Sequence, residues 1–435
     1  MRGDIIHVSD TRRLQRRRVN VRYILKNLGR YIRPYALLFV LIFFASLAGT
    51  ACSLLGPQVC GMAIDEIKLD GTTDFAKIWT YAAVLVAVYI ASGLLTYLSS
   101  IGMSYLSRCV VKRIRTDIFA RLTSLPVSYF DTRQAGDIIS VLSYDLDTLG
   151  ESLANDTMMV LTSVVTIVGS LVMMLISAPI LVVVFVVTIP LTSLFTWWLT
   201  HKVQPLFRRR SSKLGELNGF IEEIITGQKT TKAYGCEEAV ISRFEQKNVE
   251  AVEAYTVAEN YGTISGPSVN FMNNLSLALI SVFGAIMYMN GAIPSVGAIA
   301  SFVLYSRKFS GPINEIANVL SEFQSALAAA ERAFRVLEEQ PEPADAEGAE
   351  ELTDVKGNVD IEHLRFAYVP GKPVIHDFCL HAESGDVVAI VGHTGAGKTT
   401  VINLLMRFYD ADSGTIKIDG KDITKVTRAS LRRAF

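Results

Sequence analysis

Residues 392–399 read Gly-His-Thr-Gly-Ala-Gly-Lys-Thr, the pattern of a phosphate-binding loop. Glycines without a Cβ let backbone N–H groups approach phosphate oxygens, and the N terminus of a following helix adds positive potential. The ammonium of Lys398 can neutralise the outer phosphates, and the hydroxyl of Thr399 is a ligand for Mg²⁺. The chemistry expected here is the binding of a nucleotide triphosphate with Mg²⁺.

The segments around the loop predict the elements that such a motif needs. Val359–Phe366 has the pattern of a strand, and Val387–Val391 is a continuous apolar run suited to a buried parallel strand directly before the loop. Thr399–Phe408 carries apolar residues at helical spacing and predicts an amphipathic helix that starts at the loop. A surface lysine after an ordinary turn is the alternative for Lys398, and this context disfavours it.

Two further residues, one in the loop and one before it, could take part in nucleotide binding. His393 has no partner at catalytic spacing, so we treat it only as a member of the loop. Tyr368 precedes Lys398 by 30 residues, and an exposed aromatic ring there could stack on adenine. Judged from the residues alone, a tyrosine of the core or of a turn is the better account of Tyr368.

The rest of the chain has the composition of a membrane protein. Of its 435 residues, 50% are hydrophobic and 19% are charged, and its mean hydropathy is positive. Apolar runs of spanning character predict six membrane helices, of which the last is the shortest. They lie at Tyr35–Met62, Ile78–Met103, Met158–Ile176, Ile180–Leu199, Val269–Met289 and Ile293–Leu304.

The connections between these runs differ in character. Those after the third and fifth runs are very short and predict hairpin tips on the outer side. Those after the second and fourth are long and basic, which places them in the cytoplasm by the positive-inside rule. They keep helical periodicity, so two helical hairpins should extend inward and turn near residues 126–136 and 227–236. Each tip is either a simple turn or a short helix that docks on the nucleotide-binding part.

Polar residues in the predicted spans leave two interpretations open. Asn270, Asn273 and Asn274 share one helical face of the fifth span, where they could line a substrate cavity or bond neighbouring helices. A cluster of arginines before the first span could bind nucleic acid, but beside a membrane helix it favours lipid headgroups, so we expect no nucleic-acid partner. Five cysteines without metal-ligand spacing predict neither disulfides nor a metal centre.

These patterns divide the chain into four parts. We expect a basic arm with an interfacial helix at residues 1–33, an α-helical membrane domain with six transmembrane helices and long cytoplasmic extensions at 34–340, a linker at 341–356, and part of an α/β nucleotide-binding domain at 357–435. The linker follows from the change to Pro-Glu-Pro-Ala-Asp-Ala-Glu-Gly at Pro341. The N terminus is expected to stay inside the cell, because no cleavable signal precedes the first span.

Several motifs together resemble the half-transporters of the ATP-binding cassette (ABC) exporter family. Ser128-Tyr129-Phe130-Asp131 is similar to the first cytoplasmic tip of that family, and Ala330–Phe334 to its exit from the sixth helix. Phe366-Ala367-Tyr368 resembles the adenine-stacking loop, and the phosphate loop is followed by Arg407–Asp410 and Ser413–Gly420, which continue the likeness.

The resemblance implies an ATP-driven pump of the plasma membrane in which two chains pair, as homodimer or heterodimer, and sandwich two nucleotides. Tyr368 would stack on adenine, Thr399 would bind Mg²⁺, and Thr400 would support the α-phosphate side. The other loop residues would hold the β- and γ-phosphates, and the two tips would couple the halves. The loop comprises Gly392, His393, Thr394, Gly395, Ala396, Gly397 and Lys398, and the tips comprise Ser128, Tyr129, Phe130 and Asp131 with Ala233, Tyr234, Gly235, Cys236 and Glu237.

The sequence departs from the family after the loop. The glutamine loop, the signature motif, the Walker B aspartate with its catalytic glutamate and the switch histidine do not occur before Phe435. These groups position and stabilise phosphoryl transfer, so we assign no catalytic residue and expect no hydrolysis by this chain alone. We expect the next codons of the source DNA to encode a glycine-valine strand that ends in glutamine.

Three functions remain to be distinguished. The first is an export subunit that moves small hydrophobic or amphipathic solutes outward. The second is a truncated, non-hydrolysing partner or regulator of a complete half-transporter, which would bind nucleotide without turnover. The third, a membrane-anchored phosphate-loop kinase, needs an acceptor-binding lid that nothing in the sequence resembles.

Overall fold

The computed structural model describes residues 21–67 and 73–435, so the arginine-rich stretch before Val21 lies outside the described residues. The described chain divides into two compact units. One unit contains residues 21–39, 103–156 and 321–435, and the other contains residues 40–102 and 157–320.

Most of the chain up to Glu338 is helical. The longest elements are α-helices, interrupted by one 3₁₀ turn at Arg33–Tyr35 and two π turns at Val141–Asp145 and Ser152–Asp156. The helices are α1 (Val21–Ile32), α2 (Ala36–Asp65), α3 (Phe75–Thr123), α4 (Val127–Asp131), α5 (Ala135–Ser140), α6 (Leu146–Glu151), α7 (Thr157–Ser177), α8 (Pro179–Thr226), α9 (Gln228–Tyr234), α10 (Glu237–Met289) and α11 (Val296–Glu338).

Five continuous helical segments among the described residues are long and apolar enough to cross a membrane. Within their most apolar windows only 6–22% of the residues are buried inside the chain, so most of these apolar side chains face outward, as expected in lipid. The segments are Val21–Asp65, Phe75–Thr123, Ala135–Ser177, Pro179–Thr226 and Glu237–Met289. The chain is a multi-pass membrane protein.

The sixth predicted span, Ile293–Leu304, overlaps the beginning of α11 but does not meet the same criterion. Its apolar stretch is short because Arg307 and Lys308 follow it. Phe302 and Tyr305 are fully buried, so this part of α11 is surrounded by protein. A helix in that position needs less outward-facing apolar surface than one exposed to lipid.

The second unit is held together around a proline in α2. Pro57 lacks an N–H, so the carbonyl of Ser53 loses its normal helical partner. Lys308 Nζ donates to that carbonyl at 2.9 Å. The Tyr305 hydroxyl donates to the carbonyl of Leu54 at 2.6 Å, and Ser301 Oγ donates to that of Pro57 at 2.9 Å. Side chains of α11 therefore bond the backbone of α2 next to its proline.

Close backbone approach at the C-terminal end of α2 depends on small residues. A Cβ on Gly61 would lie 2.5 Å from the carbonyl oxygen of Gly297, and a Cβ on Gly297 would lie 2.1 Å from the carbonyl oxygen of Gly61. The amide of Gly297 donates to Asp65 Oδ1 at 2.6 Å. Small residues that let helices approach are typical of membrane helix packing.

The helical part of the first unit is built around a buried carboxylate. The side chain of Asp145 is 3% exposed and accepts two bonds from Arg332, at 2.8 Å from Nε and 2.6 Å from Nη2. This bond with Asp145 raises the pKa of Arg332 above its usual range. In the same unit Tyr31 of α1 donates to Asp117 at 2.8 Å and stacks on Phe334.

The remainder of the first unit contains an antiparallel sheet in the order β2-β1-β3-β4. Two helices belong to the same region, and apolar side chains of both pack against the sheet. The elements are β1 (Val359–Phe366), β2 (Ile375–Ala382), α12 (Lys398–Leu405), β3 (Ser413–Ile418), β4 (Lys421–Asp422) and α13 (Arg428–Arg433). Ile361, Leu364 and Ile416 from the sheet meet Val401 and Leu404 from α12 in the core.

The strand predicted at Val387–Val391 is wrong. This segment has no strand conformation, and the side chains of Val387 and Val391 are 98% and 87% exposed. A parallel strand is stable only between hydrogen-bonded neighbours. In the described residues the four strands pair only with one another, so no partner is available to this run.

The predicted strand at Val359–Phe366 is confirmed. The helix predicted to reach Phe408 ends earlier, at Leu405. The reason lies at Arg407, which has a positive φ of 51°. Its guanidinium donates to Asp410 at 2.9 Å and to the carbonyl of Ile423 at 3.1 Å, and these bonds hold the chain in the turn.

Replacing Arg332 by alanine should lower the free energy of unfolding by about 3 kcal/mol, because the buried carboxylate of Asp145 is left without its partner. Thermal melting of the full chain in detergent measures the loss. Arg335→Ala is the control, because Arg335 is equally exposed at 51% and, among the described residues, pairs only with Glu331 one turn away. That change should cost less than about 0.5 kcal/mol, and equal losses in the two variants would contradict the role of the buried pair.

Candidate functional site

The phosphate loop connects the irregular segment 387–391 to α12 and depends on two glycines in left-handed conformation. Gly395 and Gly397 have φ values of 87° and 84°, which side chains with a Cβ rarely adopt. Gly397 is also confined, since a Cβ there would lie 3.3 Å from Val374. A Cβ on Gly392 would lie 3.1 Å from that of Ala396. These glycines are needed for the tight path of the loop.

Lys398 is the first residue of α12, and its side chain turns back over the loop. Its Nζ donates to the carbonyls of Gly392 at 2.8 Å and His393 at 2.9 Å. The ammonium therefore lies at the helix N terminus, where the unpaired N–H groups also concentrate positive potential. Such an arrangement favours an anion with several oxygens.

The two threonines after Lys398 lie in different environments. Thr399 is exposed in the first turn of α12. Thr400 is 5% exposed and accepts a hydrogen bond from the Tyr368 hydroxyl at 3.2 Å. An exposed hydroxyl beside a lysine fits the donor set of Mg²⁺, which takes few protein ligands and shares its oxygens with phosphate.

Tyr368 lies beside the phosphate loop and is 42% exposed. Asn403 Nδ2 donates to its hydroxyl at 3.3 Å. Its ring makes edge contacts with Phe366 and Tyr409, with centroid distances of 4.8 and 5.0 Å. Tyr368 is thus neither a core residue nor an isolated turn residue, and its accessible surface lies within reach of the loop helix.

The other residues of the loop are exposed. His393 Nδ1 lies 2.9 Å from the carbonyl oxygen of Thr394, a contact within the loop itself. Ala396 and Thr394 are likewise exposed, so their side chains take no part in the core. What these residues offer a ligand is therefore mainly their backbone.

The first predicted tip is the short helix α4, which lies between Pro126 and Thr132. The hydroxyl of Tyr409 donates to Asp131 Oδ2 at 2.6 Å. Burial, together with that carboxylate, raises the pKa of Tyr409 above its usual range. Tyr409 therefore keeps its proton at physiological pH and remains a donor to Asp131.

Other residues of this tip contact the end of α11. The guanidinium of Arg133 lies 3.8 Å from the ring centroid of Tyr129 and pairs with Glu339 at 2.7 Å. Burial raises the pKa of Tyr129. Phe130 is 42% exposed, and the carbonyl of Ser128 accepts from the Thr132 hydroxyl at 2.9 Å.

The second tip is the helix α9, which belongs to the other compact unit. It ends at Gly235, whose φ of 61° is left-handed. Glu237 pairs with Lys232 at 3.1 Å. Ala233, Cys236 and Tyr234 are exposed, and Tyr234 most of all at 78%.

Tyr409 is a residue that the sequence analysis did not assign to the site. It connects two predicted groups, because its ring touches Tyr368 and its hydroxyl bonds Asp131. The signal in the sequence was an aromatic residue with a polar end just after the amphipathic helix, but its partner lies 278 residues away. Only the fold brings the two together.

A second site lies wholly within the other unit. Helices α8, α10 and α11 enclose a cavity of about 690 Å³, and Asn270, Asn273 and Asn274 all line it. Among the described residues none of these three amides has a side-chain hydrogen bond, so they do not bond neighbouring helices. This geometry favours the cavity over the alternative of inter-helix bonding.

Comparison with known proteins gives matches to both parts of the chain. The family model described as ABC transporter transmembrane region matches residues 39–313, and the model described as ABC transporter matches residues 375–435. An uncharacterized ABC transporter ATP-binding protein of Bacillus subtilis strain 168, YfiC, is 35% identical over 94% of this chain and 67% of its own length.

Two other relatives carry names that state a cargo. The fatty acid ABC transporter ATP-binding/permease protein of Mycobacterium bovis is 38% identical over 82% of this chain and 56% of its own length. The ATP-dependent lipid A-core flippase of Nitrosococcus oceani is 29% identical over 94% of this chain and 68% of its own length. The chain thus spans between about half and about two thirds of the length of these relatives.

The position of Tyr368 predicts different effects for its ring and its hydroxyl. Tyr368→Ala should weaken ATP binding by about tenfold, since stacking on a base is worth roughly 1–3 kcal/mol. Tyr368→Phe should stay within about twofold of the parent, because it keeps the ring and loses only the bonds to Thr400 and Asn403. Displacement of a fluorescent ATP analogue from the full chain measures both. An equal loss in the two variants would show that the hydroxyl, and not the ring, matters.

Proposed function

The chain belongs to the ABC transporter family, and on that premise we propose that it is an ATP-binding subunit of an exporter that moves hydrophobic or amphipathic solutes outward across a membrane. The observation that carries this proposal is the glycine loop at the N terminus of α12, with Lys398 above it and Tyr368 beside it. That arrangement is joined in one chain to apolar membrane helices.

ATP is the nucleotide that this geometry suits. The accessible ring of Tyr368 would stack on adenine, and the loop amides with Lys398 would bind the β- and γ-phosphates. Thr400, buried next to Tyr368, would support the loop on the α-phosphate side. Thr399 would ligate Mg²⁺, which supplies charge neutralisation between the outer phosphates.

The membrane part would use the cavity of the second unit to hold cargo. Its volume of about 690 Å³ is within the range of roughly 300–1,000 Å³ for small-molecule sites. The names of two relatives state a fatty acid and lipid A-core, both amphipathic, and support a cargo of that general character. The basic connections support a cytoplasmic position for the phosphate loop and the N terminus.

Two such chains would pair, as identical copies or with a related chain, around two nucleotides. Coupling would then depend on the first tip. ATP stacked on Tyr368 would affect the position of Tyr409, because the centroids of the two rings lie 5.0 Å apart. The hydroxyl of Tyr409 would in turn bond Asp131 of α4. A ligand on the loop would thus be connected to an extension of the membrane helices through a series of contacting side chains.

Removal of the Lys398 ammonium tests nucleotide binding directly. Lys398→Ala should weaken ATP binding by about 10- to 100-fold, since hydrogen bonds to charged groups contribute about 1.5–3 kcal/mol each. Isothermal titration of the full chain in detergent measures the affinity. Lys421→Ala is the control, because that lysine forms an exposed pair with Glu350 and should leave the affinity unchanged. Parent-like affinity of the Lys398 variant would refute the proposed site.

The bond between Tyr409 and Asp131 tests coupling without requiring hydrolysis. ATP should slow amide exchange in residues 127–131 of the parent chain. Tyr409→Phe should keep the ATP affinity within about twofold and reduce that ATP-dependent protection by about tenfold, because only the hydroxyl bond to a carboxylate is lost. Tyr261→Phe, at an exposed position of α10 outside both tips, serves as control. Unchanged ATP-dependent protection of residues 127–131 in the Tyr409 variant would contradict coupling through this bond.

A further inference from the structure

The cavity of the second unit is lined by polar and apolar side chains and by one cationic group. Apolar side chains, including Phe185, Trp197 and Leu277, form part of its lining. Among the described residues that line it, Arg307 is the one ionisable group. A cationic group at the end of a membrane helix is costly unless it meets water or an anion, and such residues commonly mark a functional site.

Several hydroxyl groups of the cavity already donate to carbonyls of their own helices. Thr192 donates to the carbonyl of Thr188 at 3.0 Å, Thr196 donates to that of Thr192 at 2.9 Å, and Ser310 donates to that of Ser306 at 3.0 Å. These hydroxyls therefore present mainly acceptor oxygens to the cavity.

Besides the hydroxyls of Ser193, Thr200 and Ser276, the guanidinium of Arg307 and the three asparagine amides provide the remaining donors. In the part of the chain that the structure describes, no hydrogen bond engages these groups, and no carboxylate lies within 4.0 Å of Arg307. A guanidinium presents five N–H groups in a planar fork that matches the oxygens of a carboxylate or phosphate. The amides of Asn270, Asn273 and Asn274 add further N–H donors on the α10 side.

We propose that this cavity binds amphiphiles with an anionic head, either a carboxylate or a phosphate monoester, through Arg307 with help from the asparagine face. The apolar side chains of the lining take the hydrocarbon part. This inference rests on the proposed function, because it names the chemical class of the cargo at the cavity assigned there.

The native tryptophan of the cavity makes binding measurable. The full chain has three tryptophans, and in a variant with Trp79→Phe and Trp198→Phe only Trp197 remains as energy donor. The probes are cis-parinaric acid, a fluorescent long-chain carboxylate, and its uncharged methyl ester, in nanodiscs of zwitterionic phosphatidylcholine. Retained ATP binding confirms that the variant is folded. The acid should reach half-maximal transfer from Trp197 at about tenfold lower concentration than the ester.

Arg307→Gln should remove that tenfold preference for the acid and leave the concentration of ester that gives half-maximal transfer unchanged. Arg209→Gln, an exposed arginine on α8 that does not line the cavity, is the matched control and should preserve the preference. Hexadecyl phosphate should compete with the acid in the parent if phosphate heads bind as well, whereas hexadecyltrimethylammonium should not compete. Binding of cis-parinaric acid without competition by hexadecyl phosphate would restrict the class to carboxylates and still support an anionic head.

The outcomes separate this inference from the proposed function. Equal transfer from Trp197 to the acid and to the ester, or equal losses in the Arg307 and Arg209 variants, would overturn the anionic class while the exporter proposal stands. Transfer from Trp197 to neither probe, with ATP binding intact, would overturn the cavity as a cargo site and this inference with it. Effective competition by the quaternary ammonium compound would likewise overturn the preference for anions.

Discussion

The bilayer supplies no water to pair with backbone N–H and C=O groups, so each group within it needs a partner from the protein. Long uninterrupted helices meet this requirement by themselves. Pro57 breaks the pattern in α2, because it cannot donate to the carbonyl of Ser53. Lys308 supplies the missing donor, and Tyr305 and Ser301 bond the neighbouring carbonyls. The way α11 packs on α2 follows from this local need.

The same constraint explains the unusual composition of α11. A helix enclosed by others can carry lysine, tyrosine and serine where a lipid-facing helix cannot, provided that each polar group has a partner. Lys308 has such partners on α2, whereas Arg307, the residue before it, lines the cavity of about 690 Å³ without one among the described residues. Adjacent basic residues of one helix therefore do different things, one completing the backbone of its neighbour and the other providing charge to the cavity.

The phosphate loop differs from the membrane helices in that some of its backbone N–H groups have no partner within the described part of the protein. Here N–H groups are left unpaired at the start of α12, where a ligand can use them, and glycines with positive φ give the chain the necessary path. The surrounding side chains have defined partners: Tyr368 bonds Thr400, its ring touches Tyr409, and Tyr409 bonds Asp131 of α4. A bound nucleotide would therefore act on groups that already have defined partners, which is what the transmission of a small displacement requires.

Much of this protein follows from its sequence alone, because the relevant signals are local. Apolar length predicts the membrane helices, glycine and lysine spacing predicts the phosphate loop, and alternation predicts β1. Where the outcome depends on partners far along the chain, local signals fail. The run at Val387–Val391 is apolar enough for a strand, yet the described sheet offers it no neighbour. Tyr409 gains its role from Asp131, 278 residues away, and Arg307 from helices that surround a cavity. Sequence thus determined which segments are apolar enough to enter lipid and which residues form the phosphate loop. Tertiary structure decided which side chains meet, because pairing over such separations depends on packing rather than on local pattern.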